Sequence, residues 1–143
     1  MVIHAAAVTD LPAVRTLLED QGLPLAGVDE HLETMVVAKN GGDVVGAAAV
    51  ELYAEGALLR SVVVSPAVQG QGLGHELTSA ALNVAKASGS QTAFLLTTTA
   101  EKFFPKLGFE RISRGDVPAS VRTSVEFQSA CPESAVVMRK QLA

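Results

Sequence analysis

A glycine-rich loop is the first stretch of this sequence that could do chemistry. Residues 65–74 read SPAVQGQGLG, and they follow the apolar run LLRSVVV, which predicts a strand. The first backbone N–H groups of a helix have no partner inside the helix, and glycine lets a ligand approach them closely. A loop that joins a strand to a helix start therefore suits an anion such as a phosphate. The alternative is a plain turn between strand and helix.

The glycine spacing excludes two familiar phosphate-binding patterns. The dinucleotide-binding pattern G-x-G-x-x-G fails because Gly70 and Gly72 are followed by Gly74 and His75. A P-loop fails because the sequence has no Gly-Lys-Ser/Thr. We therefore expect backbone N–H groups, without a lysine, to hold the phosphate, and we expect His75 at the surface. The loop consists of Gln69, Gly70, Gln71, Gly72, Leu73 and Gly74.

Two charged residues interrupt apolar strands and are candidates for chemistry. Glu51 ends the run VVGAAAVE and shares a strand face with Tyr53. A carboxylate among apolar residues has a raised pKa, which suits a general base. Arg60 interrupts LLRSVVV and falls on the same sheet face if the intervening turn has an even number of residues. Tyr53 and Arg60 would then face the acceptor substrate. The alternative, equally open, is a cross-strand ion pair of Glu51 with Arg60 that does no chemistry.

The segment 114–134 is too long for a simple hairpin loop and predicts an inserted helix. Arg122, Glu126 and Ser129 have helical spacing there and could close over an acceptor site. Arg122 would clamp a substrate carboxylate or an oxyanion, and Glu126 is the second candidate for the base. The alternative is a solvated helix face.

Other polar residues favour structural roles. Thr98 and Glu101 fit a capping box at the end of an apolar strand. Cys131 is the single cysteine, which excludes an internal disulfide and a metal cluster of paired cysteines. We predict no metal site, because the three histidines share no motif.

Composition restricts the class of protein. The chain has 143 residues, 48% of them hydrophobic and 18% charged, which predicts a single globular domain over 1–143. The net charge of −4 argues against nucleic acid as the main partner. The N-terminal stretch MVIHAAAVTD does not resemble a signal peptide, and no apolar run reaches the ~20 residues that cross a membrane. We therefore expect a cytoplasmic protein.

Hydrophobic periodicity and turn signals predict a mixed α/β sheet covered by helices. Three consecutive central strands indicate an antiparallel meander, and a later strand–helix–strand unit indicates one parallel crossover. The predicted strands cover 2–8, 35–53 with a hairpin turn at 40–42, 57–65, 91–98, 109–112 and 135–142. The predicted helices cover 9–22, 28–35, 73–87 and a short stretch before Gly108.

The stretch VVVSPAVQGQGLG resembles the acyl-CoA-binding signature of the GNAT superfamily of N-acetyltransferases, in which a strand leads to Q/R-x-x-G-x-G/A and a helix. FFPKLGF is similar to the short helix that closes with Gly-Phe in that family, so the resemblance covers nearly the whole chain. It implies a mostly antiparallel central sheet with splayed strands. More narrowly, ELY, LLRS, LLTTTAEKFF, VRTSVEF and CPESAVVM resemble the N-acetyltransferases found beside arsenic-resistance genes.

The resemblance implies specific roles for the loop and for the strand before it. The N–H groups of 69–74 would hold the pyrophosphate of coenzyme A, and the main chain of Val62, Val63 and Val64 would bind its pantetheine arm. That strand and 91–98 would part to admit the thioester, and an N–H near Val62 and Val63 would polarise the acetyl carbonyl. Phe104 occupies the position of the tyrosine that many members use as the acid, so the usual acid is absent.

The sequence thus predicts an N-acetyltransferase that uses acetyl-CoA on the amine of a small molecule, either amino-acid-like or a toxic amine linked to arsenic resistance. One alternative is an acyl-CoA-binding or sensing module that has lost catalysis, which Phe104 makes plausible. Another is acetylation of protein N-termini or lysines. The long 114–134 insertion favours a closed pocket over the groove that a protein substrate needs. The resemblance also allows a homodimer, since members of this superfamily often dimerise.

Overall fold

A seven-stranded sheet is the frame of the structure, a computed structural model that describes residues 1–131 and 134–142. The strands are β1 Val2–Ala5, β2 Met35–Asn40, β3 Asp43–Tyr53, β4 Gly56–Val64, β5 Thr92–Thr97, β6 Glu110–Ile112 and β7 Val136–Gln141. Their order across the sheet is β1-β2-β3-β4-β5-β7-β6. Neighbours are antiparallel except β4 and β5, which are parallel. The predicted mixed sheet, with its meander and its one parallel crossover, is confirmed.

Two α-helices cover opposite faces of the sheet. Helix α1 is Leu11–Asp20 and helix α2 is Leu73–Ala87. The apolar face of α2 packs on one side, against a cluster that includes Leu59 and Leu95. Val14 and Leu18 of α1 pack on the other side, against a cluster of small residues and valines. The predicted helix at 28–35 is a short 3₁₀ stretch, Asp29–Thr34.

Strands β4 and β5 part soon after they begin. They pair at Ala57 with Ala93 and at Leu58 with Phe94. No further pair follows in the described chain, although β4 runs on to Val64 and β5 to Thr97. The edges of both strands therefore open onto a gap inside the sheet, as the splayed-strand prediction requires.

A bulge in β4 lies at this gap. Ser61 and Val62 together oppose the single residue Ala48 of β3, because the register shifts there. Ser61 has a φ of 58°, in the left-handed region that few non-glycine residues adopt. The extra residue reverses the alternation of side chains, so Val62 packs on the α2 side while Val63 packs on the α1 side. The side chains of β4 before the bulge, including Arg60, keep the alternation that they would have in a regular strand.

The single inserted helix predicted within 114–134 is wrong. Three short turns replace it in the described part: the 3₁₀ turns Arg114–Asp116 and Val121–Thr123 and a π-helical turn, Glu126–Ala130. Ser124 between them is extended, with φ −55° and ψ 142°, so helical spacing does not continue across it. Pro132 and Glu133 of the predicted segment lie outside the described residues. Val117 and Val121 still anchor the segment, against Leu58 and Phe94.

The cap expected from Thr98 is supplied by Thr97 instead. The Thr97 hydroxyl accepts the N–H groups of Thr99 and Ala100 at 3.3 and 2.9 Å. These bonds turn the chain at the end of β5 toward the short 3₁₀ helix Phe104–Leu107.

Gly46 should be intolerant of a side chain, because α2 packs directly on it. A Cβ there would lie 2.7 Å from Leu77 Cδ1 and 3.0 Å from the Val63 carbonyl oxygen. Leu77 is fully buried and cannot move aside freely. We expect Gly46→Ala to lower the free energy of unfolding by about 1–3 kcal/mol, measured by urea denaturation. Gly115→Ala is the control, since a Cβ at Gly115 would meet nothing within 4 Å. Equal stability of the two variants would contradict this packing.

Candidate active site

A cavity of about 640 Å³ occupies the gap between β4 and β5. Its lining follows β4 from Leu59 to Val64 and continues into the glycine loop. The wall from β5 and beyond is mostly apolar and includes Leu95, Phe103 and Phe104. Polar side chains also line it: Gln21 just after α1, Arg60, Ser61, Gln69, His75, Thr97, Thr99, Glu126 and Cys131. The cavity therefore connects a helix N-terminus with a cluster of buried charged side chains.

The glycine loop leads into α2 through two glycines with a left-handed backbone. Gly70 and Gly72 have φ of 83° and 81°, and Gly72 is the residue just before α2. A Cβ at either glycine would meet nothing within 4 Å, so packing does not require these glycines but their backbone conformation does. At Gly74 a Cβ would lie 3.2 Å from the Phe103 ring. Of the six loop residues, Gln71 alone is not part of the described cavity lining.

The carbonyl of Val64 marks the β4 edge that faces the gap. It accepts the Gln21 amide Nε2 at 2.7 Å and the Gln69 amide Nε2 at 3.0 Å. Two side-chain amides thus occupy a position that a neighbouring strand would fill in a continuous sheet. Gln21 was not predicted as a site residue, because its place after a surface helix gives no signal in the sequence.

Arg60 is buried, and each of the three nitrogens of its guanidinium has a protein partner. Its Nη1 lies 2.7 Å from Glu51 Oε2, and its Nη2 donates to the Ala26 carbonyl at 2.6 Å. Its Nε donates to Ser61 Oγ at 3.1 Å and lies 3.6 Å from Glu126 Oε2. Arg60 also lines the cavity, so its expected contact with substrate stays a prediction.

Glu51 is a buried, charged partner of Arg60. Burial alone would raise the pKa of the Glu51 carboxyl, but hydrogen bonds from Ser124, Tyr53 and Arg60 together bring it below its usual value. The side chain is 1% exposed and does not reach the described cavity lining. The predicted placement of Glu51 and Arg60 on one sheet face is thus observed. The geometry favours the ion-pair interpretation of Glu51 over a role as base.

Glu126 differs from Glu51 in two ways: it lines the cavity, and its pKa is raised instead of lowered. It is 3% exposed and lines the cavity. Burial raises its pKa to about 7; the charge of Arg60 opposes this rise, and that of Glu51 adds to it. A carboxyl group with such a pKa can accept a proton at neutral pH, so it suits a general base.

Tyr53 and His31 complete the buried cluster around Glu51. The Tyr53 hydroxyl donates a hydrogen bond to Glu51 Oε1. Burial and the Glu51 carboxylate raise the pKa of Tyr53 to about 12. His31 Nε2 lies 3.3 Å from Glu51 Oε2, and burial lowers the pKa of the imidazole. Tyr53 is outside the described cavity lining, so its predicted contact with substrate stays a prediction.

Of the remaining predicted site residues, Phe104 lines the cavity and Arg122 does not. Phe104 is buried against Phe103 and Phe109, with ring centroids 5.0 and 5.8 Å away, and offers the cavity no proton. Arg122 is exposed and does not belong to the described cavity lining, so its role as a clamp stays a prediction. The Ser129 side chain lies outside the part of the structure that is described.

The sequence-based expectations of no membrane span and no metal site concern the whole chain. In the described part of the chain no helix is both long and apolar enough to cross a membrane. Among the same residues, no group of three or more His, Cys, Asp and Glu side chains is arranged to hold a metal ion.

Comparison with known proteins identifies related sequences. The profile of the acetyltransferase (GNAT) domain matches residues 31–111. The amino-acid acetyltransferase of Mycobacterium tuberculosis is 32% identical over 130 residues, which are 84% of this chain and 74% of the relative. The amino-acid acetyltransferase of Neisseria meningitidis serogroup A is 26% identical over 143 residues, which cover 96% of this chain. The chain spans only about a third, 32%, of that relative's length.

Solved structures have the same fold. A Mycobacterium tuberculosis protein crystallised with CoA and a second ligand superposes with a TM-score of 0.84 at 28% identity, over 100% of both chains. N-acetylglutamate synthase of Neisseria gonorrhoeae, complexed with coenzyme A and N-acetyl-glutamate, superposes with a TM-score of 0.85 at 24% identity. That match covers 99% of this chain and 35% of the synthase.

The buried Glu126 should make the stability of the protein depend on pH. Its folded pKa of about 7 exceeds the ~4.3 of an unfolded glutamate, so the folded state binds more protons between these values. Stability therefore falls as pH rises from about 4.3 to about 7, and the loss is complete above that window. Glu126→Gln cannot ionise, and we expect it to be more stable than the unmodified chain near pH 8 by about 1–3 kcal/mol.

Urea denaturation from about pH 4 to about pH 8 measures this difference. The stabilisation by Glu126→Gln should shrink toward the acid end, where the native carboxyl is also neutral. Glu33→Gln, at an exposed position, is the matched control and should show no such trend. A Glu126→Gln curve parallel to that of the unmodified protein would contradict the raised pKa.

Proposed function

Because the chain belongs to the GNAT acetyltransferase family, we propose that it transfers the acetyl group of acetyl-CoA to the amine of a small molecule of the amino-acid type. The observation that carries the proposal is one cavity that joins the glycine loop to Glu126 across the β4–β5 gap. The printed function of the relatives, amino-acid acetyltransferase, supports the acceptor class. We take 1–143 as a single acetyltransferase domain.

The residues present fit coenzyme A. The N–H groups at the start of α2, reached through Gly70 and Gly72, would hold the pyrophosphate. The open edge of β4 at 62–64 would hydrogen-bond the pantetheine amides, and the Val64 carbonyl already accepts amide N–H groups there. The bound thioester supplies an activated acetyl group. An N–H at Val62 or Val63, next to the bulge, would stabilise the negative charge on the acetyl oxygen.

Glu126 would act as the general base. It lines the cavity, and burial raises its pKa to about 7, which suits a group that takes up the amine proton near neutral pH. Arg60 would keep that carboxylate in place, because its Nε lies 3.6 Å from Glu126 Oε2. Glu51 would serve as the charged partner that holds Arg60.

The sequence also allows two other kinds of acceptor, toxic amines and protein amines. The resemblance to acetyltransferases found beside arsenic-resistance genes extends the proposal to toxic amines; the relatives above do not bear on that context, which stays a prediction. Acetylation of protein N-termini or lysines is less favoured, since the segment around Val117 and Val121 packs over the sheet beside the site. A sensing module without catalysis would bind acetyl-CoA and release no thiol.

A thiol-release assay tests the proposal directly. The protein is mixed with acetyl-CoA and, in turn, the standard L-amino acids, small toxic amines and a peptide with a free N-terminus. We expect acceptor-dependent release of coenzyme A with an amino acid, and acetylation of its amine by mass spectrometry. Binding of acetyl-CoA without turnover on any acceptor would favour the sensing module instead.

Gly72 should be required for binding of coenzyme A. Gly72→Val places a side chain at a φ of 81°, directly before α2, where the pyrophosphate would lie. Gly89→Val is the matched control, because it has a φ of 96°, an equally open surrounding and a place after the other end of the same helix. Each variant should lose about 1–2 kcal/mol of stability from the left-handed backbone.

Calorimetry with coenzyme A separates the two variants. We expect Gly72→Val to bind at least about tenfold more weakly, a loss of ~1.4 kcal/mol, and Gly89→Val to bind like the unmodified protein. Equal affinity of the two variants would mean that the loop is only a turn.

Glu126→Gln should lose turnover while it keeps affinity for coenzyme A. Removal of a general base typically costs ~10²–10⁴-fold in rate, and we expect a loss in that range in kcat. Glu51→Gln is measured beside it: this change leaves Arg60 without its closest carboxylate and should mainly lower thermal stability. If Glu51→Gln lost turnover and Glu126→Gln did not, the base would be Glu51.

A further inference from the structure

The site lacks the proton donor that the family signature leads one to expect for the leaving thiolate. Phe104 occupies the tyrosine position and packs against Phe103 and Phe109. Tyr53 is the single tyrosine of the chain, and its hydroxyl donates to Glu51, away from the described cavity lining. If the protein supplies this proton, the donor is therefore another residue that lines the cavity.

Ser61 lies at the point where the gap opens. It is the bulged residue of β4, three positions beyond the last β4–β5 pair at Leu58 and Phe94. Its φ of 58° is the one left-handed value at a non-glycine residue in the described chain. Such a backbone is strained and tends to occur where a side chain or an N–H must be aimed at a ligand. Ser61 is half-buried and lines the cavity.

The hydrogen bonding of Ser61 leaves its hydroxyl proton available. Its Oγ accepts the N–H of Arg60 Nε at 3.1 Å, so the lone-pair side of the hydroxyl is used by a cation. No protein group in the described chain accepts the Ser61 O–H. A neighbouring positive charge also favours loss of the proton, because it stabilises the oxygen that remains.

Ser61 and Glu126 both lie close to the same nitrogen atom, Nε of Arg60. Arg60 Nε lies 3.1 Å from Ser61 Oγ and 3.6 Å from Glu126 Oε2. The Ser61 hydroxyl and the Glu126 carboxyl thus belong to one cluster around this nitrogen, and both residues line the cavity. The cation between them stabilises either oxygen when it is the deprotonated one.

We propose that Ser61 is a further catalytic residue, which passes the proton taken up by Glu126 to the sulfur of coenzyme A. This inference rests on the proposed acetyl transfer. The amine nitrogen forms a bond to the acetyl carbon, and Glu126 accepts the proton that the nitrogen loses. As the carbon–sulfur bond breaks, its electron pair stays on sulfur, Ser61 gives that sulfur its hydroxyl proton, and Glu126 returns a proton to Ser61 Oγ. The products are the amide and the free thiol, and the protein ends in its starting protonation state.

The test compares two leaving groups in Ser61→Ala and Ser61→Gly. Both variants remove the hydroxyl, and the glycine also removes the strain at a φ of 58°. The first donor is acetyl-CoA; the second is the acetyl thioester of 4-nitrothiophenol, whose thiolate leaves without protonation. The acceptor is L-glutamate or whichever standard L-amino acid gives the highest rate with the unmodified protein. Ser79→Ala, an exposed serine of α2, is the control.

We expect both Ser61 variants to lose about 10²-fold or more in kcat with acetyl-CoA, within the range of acid–base assistance. With the nitrophenyl thioester the loss in kcat/KM should shrink to a few-fold, and affinity for coenzyme A should stay unchanged. Equal losses with both thioesters, or no loss with acetyl-CoA, would overturn the proposal. So would a loss in Cys131→Ala that Ser61→Ala does not share. If the unmodified protein acetylates no amine with either thioester, the proposed function itself fails, and this inference with it.

Discussion

The guanidinium of Arg60 joins three segments that are far apart in the sequence. It contacts Glu51 on β3, the Ala26 carbonyl in the loop after α1, and Glu126 in the segment between β6 and β7. A buried cation is stable only when its charge is paired and its donors are used. Gly27 leaves room for this arrangement, since a Cβ there would lie 3.0 Å from Arg60 Nη1. The part of the cavity that Arg60 and Glu126 line is thus built around the Arg60 charge.

The number of charges in this cluster decides which carboxylate can react. Among the described residues, Arg60 is one cation shared by two buried carboxylates, Glu51 and Glu126. Glu51 is closer, at 2.7 Å, and has further hydrogen bonds from Tyr53 and Ser124, so its pKa is lowered and it stays charged. Glu126 lies 3.6 Å from the same cation, and burial together with the charge of Glu51 raises its pKa to about 7. The cluster therefore separates a structural carboxylate from one that can exchange protons with a ligand.

The sequence predicts the sheet and the glycine loop well, because both depend on local patterns. Alternation and turn residues identify the strands, and the spacing of the glycines before α2 identifies the loop. The side-by-side placement of Glu51 and Arg60 also follows from strand periodicity. Local patterns do not predict the inserted segment, where an extended Ser124 divides what looks like one helix, nor the bulge at Ser61, whose alternation breaks by a single residue. The relative burial of Glu51 and Glu126 depends on contacts between distant segments.

The pKa of the Glu126 carboxyl is the quantity that tests this account most directly. A ¹³C NMR titration of the glutamate side-chain carboxyls, with Glu126→Gln to assign the resonance, measures it in the unmodified protein and in Glu51→Gln. The account predicts a midpoint of about 7 in the unmodified protein. It predicts a lower midpoint in Glu51→Gln, because the repulsion from Glu51 is gone and Arg60 is free to pair with Glu126. A midpoint near the ordinary ~4.3 in the unmodified protein, or one that Glu51→Gln leaves unmoved, would contradict it.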